Sequence, residues 1–236
     1  MTHFKKSFPL ILCLVVVLAG LRFPSGALGG SAPKGFVYVD EAVPGIMLDI
    51  RYYTNHNFVG ERIDGYTAPR GILTGEAANA LGRVQEELSR FGLGLKVFDA
   101  YRPQRAVDCF VRWAKDLADI RMKKEFYPVI DKENLFRDGY IAEKSSHSRG
   151  STVDLTIVTL DARSPGIELD MGTSFDYFGP RSWTSCIEIK PEQRANRMLL
   201  QEVMEKHGFK PYPREWWHFT LAEEPYPDTY FDFPIR

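Results

Sequence analysis

Several things are scarce in this 236-residue sequence, and each shortage excludes something. Cysteine occurs three times, at Cys13, Cys109 and Cys186, too few for a disulfide framework. Thirty lysines and arginines meet 31 aspartates and glutamates, for a formal net charge of −1. With no basic run to track a phosphate backbone, nucleic acid is not an expected partner. No internal repeat, low-complexity tract or linker divides the chain. No apolar run reaches the roughly 20 residues that a membrane-spanning helix needs.

The longest apolar run, residues 8–21, follows Lys5 and Lys6 and precedes Pro24, Ser25, Gly26 and Ala27. A basic start, an apolar stretch and small residues, in that order, form a secretory leader. Residues 1–27 are therefore expected to be a signal peptide, cleaved after Ala27, and the mature protein to be periplasmic without inserting into the membrane. The remainder, 28–236, is one domain's length. A hydrophobic fraction of 44% and an aromatic fraction of 13% provide for a substantial core.

The patterning predicts an α+β fold, a small antiparallel sheet with flanking helices. Residues 36–54 alternate apolar and polar around Pro44-Gly45 and suggest short strands. Residues 55–72 form an irregular loop. Thr74 is placed to cap a helix carrying Ala77, Leu81, Val84 and Leu88, stopped at Gly92. A strand over residues 95–99 follows. A second helix opens at Pro103 and carries Val107, Phe110, Val111, Ala114 and Leu117. Residues 152–158 read as a half-buried strand, Val153, Leu155 and Ile157 inward and Thr152, Asp154 and Thr156 on the polar side. A third helix spans residues 191–207, ended by Gly208, and a last strand spans residues 216–221.

Four histidines lie beyond the leader. His207 closes a helix, where a cation suits the dipole, and His56 sits between two asparagines. His147 and Asp154 are separated by a turn at Gly150 that can bring a loop imidazole and a strand carboxylate to one ion. His218 shares its side of the last strand with Trp216. Two histidines and a carboxylate suit a catalytic zinc with one open position. Read singly, the same residues fit a surface histidine and a solvated aspartate. Glu215 can serve as a general base beside the metal if it lies in the turn before the strand, because positions 215 and 218 of a regular strand face opposite ways. Alternatively it is a surface glutamate. Arg102, between a strand end and a helix start, can stabilise an oxyanion or simply pair with Asp99.

Together the segments Ser145-x-His147-x-x-Gly150-x-x-x-Asp154, Glu215-Trp216-Trp217-His218 and Asp99-Ala100-Tyr101-Arg102-Pro103 resemble the VanX-type D-alanyl-D-alanine dipeptidases of the zinc D-Ala-D-Ala peptidase clan. The resemblance runs from the opening around residues 49–60 to the closing Tyr-Phe-Asp-Phe-Pro at 230–234. It implies one zinc per chain on His147, Asp154 and His218, Glu215 as catalytic base and Arg102 as transition-state stabiliser. Tyr52, Ser145 and Asp176 are implied near a zwitterionic dipeptide, Asp176 facing its ammonium. The expected activity is hydrolysis of D-alanyl-D-alanine, in scavenging or wall turnover. The alternatives are a peptidoglycan D,D-carboxypeptidase or L,D-endopeptidase of the same clan, and a non-catalytic zinc-stabilised binding domain. Glu215 and Arg102 weigh against the last, since a structural metal clip needs neither.

Overall fold

Thr74 shows how local chemistry starts the fold: its hydroxyl accepts a hydrogen bond from the Ala77 amide, a helix N-cap that satisfies one orphan donor. The computed structural model describes Met1 and residues 32–163 and 165–236. The leader expected over residues 1–27 lies outside them, Met1 apart.

The elements are strand β1 (Phe36–Tyr38), a single-turn helix α1 (Val39–Ala42), β2 (Met47–Leu48), β3 (Ile72–Thr74), α2 (Gly75–Ser89), β4 (Leu93–Asp99), α3 (Gln104–Lys115), a short α4 (Lys123–Phe126), β5 (Thr152–Thr159), α5 (Pro191–Lys206), β6 (Phe209–Tyr212) and β7 (Glu215–Leu221). Residues 32–236 fall within one compact unit. Among the described residues no helix is long and apolar enough to cross a membrane.

The α+β architecture is the one the patterning predicts. A five-stranded sheet runs in the order β2-β4-β5-β7-β6, and β1 and β3 pair separately. All pairs in the large sheet are antiparallel except the edge pair β2–β4, which is parallel. That edge pair corrects the wholly antiparallel expectation. The helical turn α1 likewise intervenes in the segment expected to hold only strands. Pro103 caps α3 from outside rather than opening it, and α3 ends at Lys115, leaving Leu117 exposed.

One face of the sheet carries the apolar core. Val153, Leu155 and Ile157 of β5 are fully buried, as are Ala77, Leu81 and Val84 of α2 and Leu200 and Met204 of α5. Burying each of the valine, leucine, isoleucine and methionine side chains among these contributes about 1.5–3 kcal/mol. The opposite face of β5 was expected to meet solvent, and it does not. Thr152, Asp154 and Thr156 are buried as completely as their apolar neighbours. β5 is the central strand, and a second layer covers this polar side. Tyr52, Phe58, Phe110, Phe175 and Phe178 are all buried, and their rings pack edge-on or tilted at 4.8–6.2 Å between centroids. Burying such a polar face is costly unless its groups find partners, as Thr152 does with Thr220 at 2.8 Å.

Candidate active site

Sheet register brings the first three groups together. Asp99 on β4 lies opposite Asp154 on β5, and Asp154 lies opposite His218 on β7. A bulge between Val97 and Asp99 turns Asp99 onto the same side. His147 arrives from a 3-10 turn, Ser146–Arg149, capped by the Ser145 hydroxyl. Gly150 ends that turn at φ +86, and a Cβ there would stand 2.3 Å from the Phe36 ring. Only glycine permits this reversal into β5.

Three ligand atoms converge. His147 Nε2 is 3.2 Å from Asp154 Oδ2, His218 Nδ1 is 3.1 Å from Asp154 Oδ1, and the two nitrogens are 3.3 Å apart. Ligands about 2.0–2.1 Å from a tetrahedral ion stand roughly 3.3 Å from one another, so the spacing fits a metal. The outer contacts fit as well. His147 Nδ1 is 2.6 Å from the Ala100 carbonyl and His218 Nε2 is 3.3 Å from Ser146 Oγ. With protons assigned to those two nitrogens, the inner nitrogens present lone pairs toward an ionised carboxylate. Asp154 Oδ1, though fully buried, has no hydrogen-bond partner among the described residues. Lone pairs facing each other at this distance call for a cation.

The electrostatics centre on the Asp154 carboxyl. Burial opposes ionisation of Asp154, yet the two imidazoles hold its carboxyl well below the usual range. Burial pushes His147 down. At His218 burial acts the same way, but Asp154 more than offsets it and holds this imidazole above its ordinary value.

Glu215 and Arg102 flank this triangle. Glu215 Oε2 is 3.6 Å from His218 Nδ1. Burial, reinforced by Asp154, lifts its carboxyl to about 7, poised to exchange a proton near neutral pH. Glu215 opens β7 instead of lying in the turn. Between Pro211 and Tyr212 the β6–β7 register jumps, Pro211 pairing with Phe219 and Tyr212 with Glu215. This irregularity on β7 puts 215 and 218 on one side. Arg102 Nε donates to Asp99 Oδ2 at 2.8 Å, and a terminal nitrogen is 3.4 Å from Asp154 Oδ2. The two readings of Arg102 are thus compatible: it pairs with Asp99 and faces the site. Asp99 itself accepts from Tyr66 at 2.6 Å, a partner 33 positions away that no local pattern announces.

The remaining sequence-derived residues line the same cavity of about 230 Å³, with Arg102, Glu215 and His218. Tyr52 donates to Asp176 Oδ2 at 2.9 Å. Asp176 is buried, and burial with the nearby Asp154 charge raises its carboxyl well above the ordinary range. It is also the one non-glycine described residue at positive φ, +60. Backbone in that region is held by its surroundings and gathers at functional sites. His56 and His207 are elsewhere, paired with Glu125 and Glu87. Cys109 and Cys186 are unpaired thiols.

Two imidazoles and a carboxylate around one point, with a proton-accepting carboxyl and a guanidinium beside them, are the parts of a metal-dependent hydrolase. The peptidase M15 family model, described as D-ala-D-ala dipeptidase, matches residues 32–236. A D-alanyl-D-alanine dipeptidase of Streptomyces coelicolor is 47% identical over 200 residues, covering 85% of this chain and 98% of the relative. One from Enterococcus faecium is 43% identical over 202 residues, covering 86% and 98%, and one from Escherichia coli is 32% identical over 187 residues, covering 78% and 84%. The chain belongs to the peptidase M15 family, and it is a metallopeptidase.

Proposed function

We propose that this peptidase hydrolyses free D-alanyl-D-alanine with one zinc held by His147, Asp154 and His218. The observation that carries the reading is the convergence of those three ligand atoms beside Glu215 in a cavity of about 230 Å³. That volume is below the roughly 300–1,000 Å³ of sites for drug-sized ligands, which suits a substrate of two small residues. Zinc in this position supplies Lewis acidity, polarising a peptide carbonyl and acidifying water.

The chain's own groups do the rest. Glu215 takes a proton from the attacking water and delivers it to the leaving amine, a double role suited to a carboxyl near pH 7. Arg102, held by Asp99, points a fixed charge at the developing oxyanion without reorganising. Asp176 takes the substrate's ammonium. Its buried carboxyl is costly to ionise alone, so an entering cation is the partner it lacks. Tyr52 holds that carboxyl in place, and Ser145 stands at the cavity wall.

We read residues 1–27 as an export leader on their own pattern, Lys5 and Lys6 before an apolar run and small residues up to Ala27. Export places the enzyme where wall-derived dipeptides are scavenged or turned over. The test offers purified protein D-Ala-D-Ala, L-Ala-L-Ala and N-acetyl-D-Ala-D-Ala, with and without chelator. Only the first is expected to be cleaved, and chelator to abolish cleavage. Equal cleavage of the blocked peptide would replace this reading with the carboxypeptidase alternative.

A further inference from the structure

The cavity around the candidate centre has an uneven set of charges. Among the described residues lining it are three carboxyl groups, Asp154, Asp176 and Glu215, and two permanent cations, Arg102 and Lys144. Arg102 is committed. It is bonded to Asp99, lies 3.4 Å from Asp154, and sits over the rings of Tyr52 and Phe110 at 4.9 and 5.2 Å. Lys144 has no such ties. Its Nζ lies 4.7 Å from the centre of the Tyr230 ring, an exposed cation–π contact of the weak kind, and no described carboxylate forms an ion pair with it.

A free dipeptide carries two opposite charges. Its ammonium finds Asp176, while its carboxylate requires a cation that the oxyanion does not already claim. Lys144 is the cavity-lining cation left over. It immediately precedes Ser145, which lines the same wall, so an ammonium and a hydroxyl reach the cavity from adjacent positions. Lys144 also borders a neighbouring cavity of about 880 Å³ with Gln104, Ala142, Glu143 and Tyr230. Its flexible stem thus stands at a boundary, and a lysine ammonium, with three rotatable donors, can be drawn from an aromatic face to a carboxylate.

We propose that Lys144 recognises the free C-terminal carboxylate of the substrate, leaving the Tyr230 ring to do so, and thereby sets the preference for an unblocked dipeptide. This rests on the dipeptidase reading. It makes Lys144 a specificity-determining residue that contributes to binding and not to the chemical step.

The experiment compares D-Ala-D-Ala with its C-terminal amide in wild type, K144Q and K144R, each with its metal content measured. Wild type is expected to prefer the free acid. K144Q is expected to lower kcat/KM for the free acid by roughly tenfold, the loss of about one charge-assisted hydrogen bond, and to do so through KM. The acid-over-amide preference should fall by the same factor, and K144R should restore most of it. If wild type cleaves neither substrate, the dipeptidase reading fails and this proposal with it. If wild type cleaves the free acid but K144Q keeps the full preference, or loses both substrates equally, the lysine proposal alone is overturned.

Discussion

Glu215 and His218 stand on the same side of β7, Oε2 and Nδ1 3.6 Å apart, although residues three apart in a regular strand face opposite ways. The register jump between β6 and β7 at this point makes the arrangement possible. Irregularities of this kind re-aim side chains beside active sites. A carboxyl next to His218, yet outside the group of His147, Asp154 and His218 that could hold a metal ion, is positioned for proton transfer.

Glu215→Gln should therefore separate chemistry from metal binding. The amide keeps the shape and loses the proton acceptor, so kcat is expected to fall by ~10²–10⁴-fold. Zinc content by elemental analysis and the far-UV spectrum should match wild type. A variant that loses zinc along with its activity would make Glu215 a ligand and defeat the assignment.

The ligand triangle predicts about one zinc per chain, lost in His147→Ala and His218→Ala. Ser146 offers a finer test. Its hydroxyl lies 3.3 Å from His218 Nε2 and orients that ring. Ser146→Ala leaves every ligand in place, so zinc should still bind, roughly 10–100-fold more weakly, as for other outer-shell partners. Competition with a chelator of known affinity measures this. An unchanged affinity would mean the serine contact is incidental.

Gly150→Ala tests the turn that carries His147 into β5. The new methyl group would meet the Phe36 ring at 2.3 Å in a backbone at φ +86. Left-handed strain alone is of the order of 1–3 kcal/mol, and the clash adds to it. Denaturant unfolding should show a loss of at least that size, together with weaker zinc binding because His147 is displaced. Wild-type stability in this variant would show that the turn relaxes freely.

How much of this was legible beforehand depended on whether the cause was local. The Thr74 cap, the Gly150 turn and the Gly208 stop are short-range effects, and the structure has them where the residues indicated. The spacing of His147 and Asp154 could be read for the same reason. The link from Tyr66 through Asp99 to Arg102 could not, because it joins a loop to a strand end 33 residues away. The burial of the polar face of β5 is not legible in alternation, which reports which side chains share a face, not what covers that face. The aromatic layer over it comes from Tyr52, Phe58, Phe110, Phe175 and Phe178, scattered along the chain. The β7 irregularity has no signature in composition, because strand pairing creates it.

Asp176 joins function to stability with a sign that can be worked out. Burial raises its folded-state carboxyl well above the ordinary value, while in the unfolded chain it titrates near pH ~4. Between those two values the folded protein holds a proton that the unfolded chain has released. Stability on this account is fully present below about pH 4 and falls as pH rises toward the folded value. Asp176→Asn removes the titration and leaves a carbonyl oxygen able to accept from Tyr52. In chelator, the variant should match wild type near pH 4 and become progressively the more stable of the two toward pH 8. At the same time it should lose most turnover of free D-Ala-D-Ala, because the ammonium no longer meets a charge. Denaturant titrations at several pH values, set beside kcat/KM, test both halves. A stability difference independent of pH would show that Asp176 is not the strained carboxyl described here. Full activity in the variant would remove it from substrate recognition.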